Sequence, residues 1–248
     1  FLMGCKMSMS PIKNHIGVGE ESYVVFEADG EAGQGDLYAG SASGGPVYRI
    51  TYSRAHESSP ALSPDGAMLA FIRGGTREDS VSFRVWIMNL LSGAERELPS
   101  LADSAFPRQL GWAPDGRTLF IRTTRGDFFT PAPPSKPGIK PVVLESSAAA
   151  DSALEVRLGD DRRAKVTTCP DGRGLCVPAD SGGSQPLTAE GRDAFRWGDD
   201  SVGFWIGDVV SVRPLGGGVT REIRWAEMPA HPRQATQFPG VPERQPSE

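Results

Sequence analysis

The stretch Ser58 to Pro99 constrains the fold most, because it reads as one complete antiparallel unit of about 40 residues. Ser59-Pro60-Ala61-Leu62 leads into the turn Ser63-Pro64-Asp65-Gly66, where proline presets the backbone at position i+1 and glycine accepts a positive φ. Ala67 to Arg73 follows as a second strand, apolar on both faces like a strand covered on two sides. After the polar loop Gly74 to Ser82, Phe83 to Leu90 is a third strand rich in aromatic and β-branched residues. Ser92-Gly93 then turns the chain into a short charged fourth strand, Glu95 to Pro99.

A unit of this size invites a search for internal copies, since self-similarity at roughly 40 to 50 residues marks propellers or solenoids. Leu110-Gly111-Trp112-Ala113-Pro114-Asp115-Gly116 through Ile121 repeats the strand, turn and strand 50 positions later. Three weaker copies keep the layout while losing the letters: Val18 to Phe26, Leu158 to Val166 and Trp197 to Trp205. With turns starting at residues 19, 63, 113, 159 and 198, the intervals are 44, 50, 46 and 39. Five repeats fit, and the expected fold is all-β: a propeller of four-stranded antiparallel blades, closed with five or cut from a six-bladed ring.

An apolar strand, S-P-D-G, a second apolar strand, a V-W-I-M-N-L strand and a polar fourth resemble the repeat of TolB-type β-propellers, also described as the WD40-like bacterial repeat. Pro60 to Leu90 and Leu110 to Ile121 carry the resemblance best, and a Leu-Thr ending of the family type appears at Leu187-Thr188 and, as Ile-Thr, at Ile50-Thr51. The resemblance implies a periplasmic scaffold that contacts other envelope proteins, although nothing here corresponds to the additional N-terminal domain of TolB itself. It marks Ser63, Pro64, Asp65, Gly66, Ala113, Pro114, Asp115 and Gly116 as repeat turns. Trp112, Phe120, Trp197, Phe204, Phe71 and Trp86 are expected to pack between blades.

The rest of the chain fits this architecture. Among 248 residues, 30 Gly and 21 Pro are too many breakers for a helical protein of this size. A net charge of −5 argues against a general nucleic-acid binder, and no apolar run reaches 18 residues. Residues 1–13 read as a stub, 14–228 as the propeller and 229–248 as a disordered, proline-rich tail. Leu2-Met3-Gly4-Cys5 resembles a bacterial lipobox, which would make Cys5 a lipidation site; the other reading is a chance match in a truncated leader. Thr130 to Gly138 is a proline-rich connection, either a lengthened surface loop or a binding loop, before Lys140 to Glu145 resumes as an outer strand.

Cys169 and Cys176 flank Pro170 to Leu175 on what the repeat makes the second and third strands of unit four, a placement that suits a cross-strand disulfide in an oxidising compartment. Two small buried apolar residues is the other reading. No neighbouring ligands suggest zinc.

The catalytic search yields decoys. Asp180-Ser181-Gly182-Gly183 is like a serine-protease nucleophile motif, but Ala42-Ser43-Gly44-Gly45 and Leu215-Gly216-Gly217-Gly218 hold the same turn in other units. His15, His56 and His231 lie far apart, so only the fold could unite them. No elbow, P-loop or H-E-x-x-H occurs. The expectation is a protein that is not an enzyme, with no cofactor, no metal and no nucleic-acid partner. It would bind envelope proteins or a small ligand through its loops and central channel, in the periplasm or anchored to the outer membrane. The alternative is an accessory or sensor propeller of a larger enzyme or receptor, such as a prolyl-oligopeptidase-like peptidase or a receptor kinase.

Overall fold

The computed structural model describes residues 12–75, 83–99, 105–132, 142–143, 165–179, 182–214 and 217–241. They form five sheets, antiparallel but for one edge pair in the first, arranged as the blades of a propeller. Blade 1 contains β1 (Tyr23–Asp29), β2 (Gly35–Ser41) and β3 (Gly45–Arg49); blade 2 contains β4 (His56–Leu62), β5 (Met68–Gly74), β6 (Arg84–Asn89) and β7 (Glu95–Glu97). Blade 3 contains β8 (Pro107–Trp112), β9 (Thr118–Thr123), β10 (Gly126–Pro131) and β11 (Val142–Val143). Blade 4 contains β12 (Thr167–Thr168), β13 (Leu175–Pro178) and β14 (Ser184–Thr188), and blade 5 contains β15 (Arg192–Trp197), β16 (Ser201–Ile206), β17 (Val209–Pro214) and β18 (Arg221–Ile223).

The last two strands return to blade 1. β19 (Trp225–Ala226) lies parallel to β3 at the outer edge of that sheet, and β20 (Arg233–Phe238) pairs antiparallel with β1 at its inner edge. Blade 1 is thus built from both ends of the chain. This corrects the expected disordered tail, because residues 233–238 are a strand; 242–248 lie outside the described residues. The four-stranded expectation is also corrected for blade 4, which has three strands among the described residues.

The doubly apolar strands have a direct cause. Side chains alternate between the two faces of a strand, and in blades 1, 2 and 5 each face meets a different neighbour. In β5, Leu69 and Phe71 enter the core shared with blade 1, while Ala70 and Ile72 enter the core shared with blade 3. In β1, Tyr23 and Val25 face blade 2, while Val24, Phe26 and Ala28 pack against Trp197, Trp205 and Val212 of blade 5. Val202 and Phe204 of β16 pack with Leu175 and Val177 of blade 4. Phe71, Trp112, Phe120, Trp197 and Phe204 are buried as expected, and Trp86 is half-buried against the first core.

The repeat turns share one hydrogen-bond pattern. Gly66 N–H donates to Ser63 O (2.8 Å) and Gly116 N–H to Ala113 O (2.9 Å), while an Asp65 or Asp115 carboxylate oxygen accepts from the N–H two residues on. Cys169-Pro170-Asp171-Gly172 repeats it, with Gly172 N–H donating to Cys169 O at 2.8 Å and Arg173 N–H to Asp171 at 2.9 Å. Blade 4 therefore makes its turn at 169, and the expected one at 159 lies outside the described residues. Cys169 ends the first strand and Cys176 sits in the second, one strand earlier than expected. Turn five joins Trp197 to Ser201, as expected.

Gly66 and Gly116 have φ of +67° and +66°, where any side chain is strained. A Cβ on Gly66 would also lie 2.6 Å from the Phe238 ring, whereas at Gly116 the nearest atom is 3.6 Å away. Gly116→Ala is expected to cost about 1 kcal/mol, and Gly66→Ala clearly more, because it also displaces the closing strand. Urea denaturation of the two variants side by side checks the order.

Candidate functional site

The two ends of the propeller differ. One carries the Pro-Asp-Gly turns; the other carries the connections that enter each inner strand and the loops between second and third strands. On this second end, the inner strands break their ladders at matching places. The register shifts between Ser58 and Ala61 in β4, between Pro107 and Gln109 in β8, between Arg192 and Phe195 in β15, and opposite Phe26/Glu27 in β20, where Gln234 is passed over. Ser59, Asp193 and Gln234 take positive φ of 52°, 50° and 38°. A bulge leaves backbone groups outside the ladder, and neighbouring blades use them. Ser59 N–H donates to Gln234 Oε1 at 2.7 Å, and Ser59 Oγ lies 3.0 Å from the Arg108 carbonyl. Blades 1, 2 and 3 are joined there. The sequence held a signal for this: Pro60 and Pro107 lack the N–H that an uninterrupted ladder needs.

Beside these bulges is an open cavity of about 440 Å³, lined by Ser58, Ser59, Ile72, Phe83, Phe106, Pro107, Arg108 and Gln234. Phe83 and Phe106 meet edge to face at its mouth, 6.3 Å between ring centres, and are 37% and 39% exposed. Tyr52, on the connection into β4, is 52% exposed, with the Arg49 guanidinium 4.7 Å over its ring.

Between blades 1 and 2 lies a network of charges. Arg233 bonds Glu27 (2.7 Å) and Asp29 (2.8 Å), and His231 Nδ1 lies 2.7 Å from Asp29. His56 Nδ1 accepts the Gly35 N–H at 2.9 Å, so its proton is on Nε2, facing Glu27 at 3.3 Å. The fold therefore brings His56 and His231 into one network, while His15 stacks on Tyr48 elsewhere, ring centres 4.3 Å apart. Glu57 is held by Arg73 (2.8 Å) and Ser53, and Arg73 continues to Glu95 at 2.7 Å. The Arg233 bonds hold Asp29 below the usual carboxylate range.

Asp36 is the exception. It is fully buried 2.6 Å from Arg49, yet neither of its oxygens, nor Glu57 Oε2, accepts a hydrogen bond. Burial drives its pKa up to about 6 against the pull of Arg49, and the Glu57 carboxylate adds to the rise.

Among the described residues, no group of three His, Cys, Asp or Glu is placed to hold a metal ion, and no helix is long and apolar enough to cross a membrane. Asp180 and Ser181 lie outside the described residues; Gly182 and Gly183 make the β13–β14 hairpin, with φ of 84° and 85°. That hairpin joins the second and third strands of blade 4. Cys5 and residues 133–141 and 144–164 are outside the described residues; β11 falls within the outer strand expected at 140–145. Cys169 and Cys176 form a disulfide, with Cα atoms 4.9 Å apart.

Between its ordinary pKa of 3.8 and the folded value of about 6, Asp36 binds more proton in the folded than in the unfolded state. Unfolding free energy should therefore fall as pH rises from about 4 to about 6, by up to about 3 kcal/mol from this group, and level off above. Asp29, shifted the other way, acts only below the usual carboxylate range. Comparing urea midpoints at pH 4.5 and 7 checks this: Asp36→Asn should shrink the difference seen in the wild type.

No family model matches the chain. A TolB homolog from Chlorobium luteolum is 32% identical over 108 residues, covering 43% of this chain and 22% of that protein. The match thus spans about a fifth of the length of its curated relative. Among solved structures, TolB from Acinetobacter baumannii aligns over 87% of this chain and 66% of its own, at 11% identity and a TM-score of 0.44. A chain of a nidogen/laminin complex aligns over 89% and 98%, at 10% identity and a TM-score of 0.53, a likeness of fold. With the repeat turns and the interblade cores in place, the chain is a five-bladed β-propeller, and its repeat stretch is similar to that of the TolB homolog.

Proposed function

We propose that this propeller is a non-catalytic binding module of the bacterial cell envelope, engaging a partner protein through the end that carries the bulges and the cavity. The observation that carries the reading is the gathering of Tyr52, Phe83 and Phe106, all substantially exposed, on that one end. Aromatic side chains with nearby arginines are the groups that dominate protein interfaces, because they bury much area at little entropic cost. Blade packing does not need them there. The opposite end consists of tight turns and exposes only aliphatic residues of this size, Leu91, Val219 and Val241, none of them aromatic.

An envelope location is supported by the pairing of Cys169 with Cys176, since structural disulfides persist in oxidising compartments. The TolB name of the curated relative agrees with it. Acylation of Cys5 would add a lipid anchor to the same scheme, and one acyl chain alone binds membranes only weakly.

Cross-linking in the native host, with the complete protein, tests the partner. Tyr52→Ser combined with Phe83→Ser should abolish a cross-link that Leu91→Ser and Val219→Ser leave intact; equal capture by all variants overturns the reading. Alkylation of the unfolded protein before and after reduction tests the compartment: two thiols from this pair reactive without reduction would refute it. The bridge closes a short loop, so replacing both cysteines with serine should lower stability by only about 2 kcal/mol.

A further inference from the structure

The geometry points to the cavity between blades 2 and 3 as a subsite for a carboxylate attached to an aromatic or branched apolar group; this rests on reading the same end of the propeller as a binding surface. The polar groups decide the charge of the occupant. Ser59 N–H can only donate, so the Gln234 atom 2.7 Å from it is the amide oxygen, which also lies 3.1 Å from Ser59 Oγ. The Gln234 NH₂ is thereby turned away from Ser59, with two N–H groups to offer. The Ser59 hydroxyl proton is already committed, either to Gln234 Oε1 or to the Arg108 carbonyl at 3.0 Å. The Arg108 guanidinium is exposed and has no ion-pair partner among the described residues. Beside the Ser58 hydroxyl, which can turn either way, the remaining polar groups are donors, one of them charged, and the fitting ligand presents acceptors.

A single planar guanidinium beside an amide matches the two oxygens of a carboxylate, which arginine binds through parallel hydrogen bonds. A phosphate dianion would call for more positive charge than this. The negative charge of the whole chain does not oppose such a contact, because charges beyond about 8 Å are screened at physiological salt. The lining also has an apolar part, Ile72, Phe83 and Phe106, and the exposed edge-to-face phenylalanine pair can take a further ring. A volume of about 440 Å³ falls within the range of small-ligand sites. The shared chemistry can come from a free aryl or alkyl acid, or from the terminal residue of a peptide.

N-acetyl-phenylalanine, its uncharged amide, and a five-residue peptide ending in phenylalanine with a free or amidated terminus are the probes. Each is titrated into the full chain and followed by NMR chemical shifts. The expected result is binding of the acid forms at least tenfold tighter than the amides. The preference should vanish in Arg108→Met, whose side chain keeps the aliphatic bulk at an exposed site. Equally tight binding of acid and amide, or an unchanged preference in Arg108→Met, overturns the proposal. A free acid favoured over the peptide identifies a small-molecule source, and the reverse a chain terminus; both outcomes support the subsite. The cross-link test depends on Tyr52 and Phe83 and uses no small acid, so either result can fail without the other.

Discussion

The structure depends on one pairing, that of β20 with β1. A propeller has no internal reason to be round: an unjoined ring would open at the seam between first and last blades. Here the last segment of the chain forms the inner strand of the first blade, so opening the seam would break a full strand ladder. The strand does more than pair. Its polar side chains reach both neighbours: Thr236 accepts from Leu62 N–H of blade 2 at 3.3 Å, Gln237 accepts from Gly198 N–H of blade 5 at 2.9 Å, and Phe238 fills the core beneath Gly66. Arg192 of blade 5 bonds the Pro232 carbonyl just before it at 2.5 Å. Three blades therefore meet on one six-residue strand.

This explains which parts of the fold were legible. The turns of blades 2, 3 and 5, and the central strands between them, declare themselves because both faces of those strands are buried and must be apolar. β20 does not. Its sequence, Arg-Gln-Ala-Thr-Gln-Phe, lies between Pro232 and Pro239 and is largely polar, because this strand is held by backbone pairing and by its Thr236 and Gln237 side chains. Composition alone makes such a segment look like a tail. Blade 4 is obscured for another reason. Its turn keeps Pro-Asp-Gly but begins with Cys169 where the other turns have Ser63 or Ala113, and the Gly-Asp-Asp run at 159 offers a competing match ten residues earlier. The geometry of the cysteine pair was legible, but its strand assignment was not.

The site was less legible than the fold. Pro60 and Pro107 mark the inner strands as interrupted, but only the register reveals that the interruptions align across blades. The charged network was hidden entirely, since Glu27, Asp36, Glu57, Arg73 and Arg233 come from both termini and from two blades. A sequence scan sees isolated charges there. Burial of three acids next to three arginines is costly unless each is matched, and here Arg233 faces Glu27, Arg73 faces Glu57 and Arg49 faces Asp36, whose burial still lifts its pKa to about 6.

The polar contacts also explain why the two ends of one blade can serve different purposes. At the turn end, each Pro-Asp-Gly loop satisfies its own backbone groups through the Asp carboxylate and the glycine N–H, so a blade closes itself and offers little to an incoming molecule. At the bulge end, backbone groups leave the ladder and are satisfied only by the next blade, as Ser59 is by Gln234. That arrangement makes the inner rim a property of adjacent blades together. A molecule that bound there would touch residues whose positions are set by the closure at β20, so ring closure and recognition share the same few contacts. The positive φ values at Ser59 and Gln234 are tolerated because the surrounding hydrogen bonds fix them. Strain that rigid closure can support is thereby concentrated at the rim of the cavity rather than in the self-contained turns.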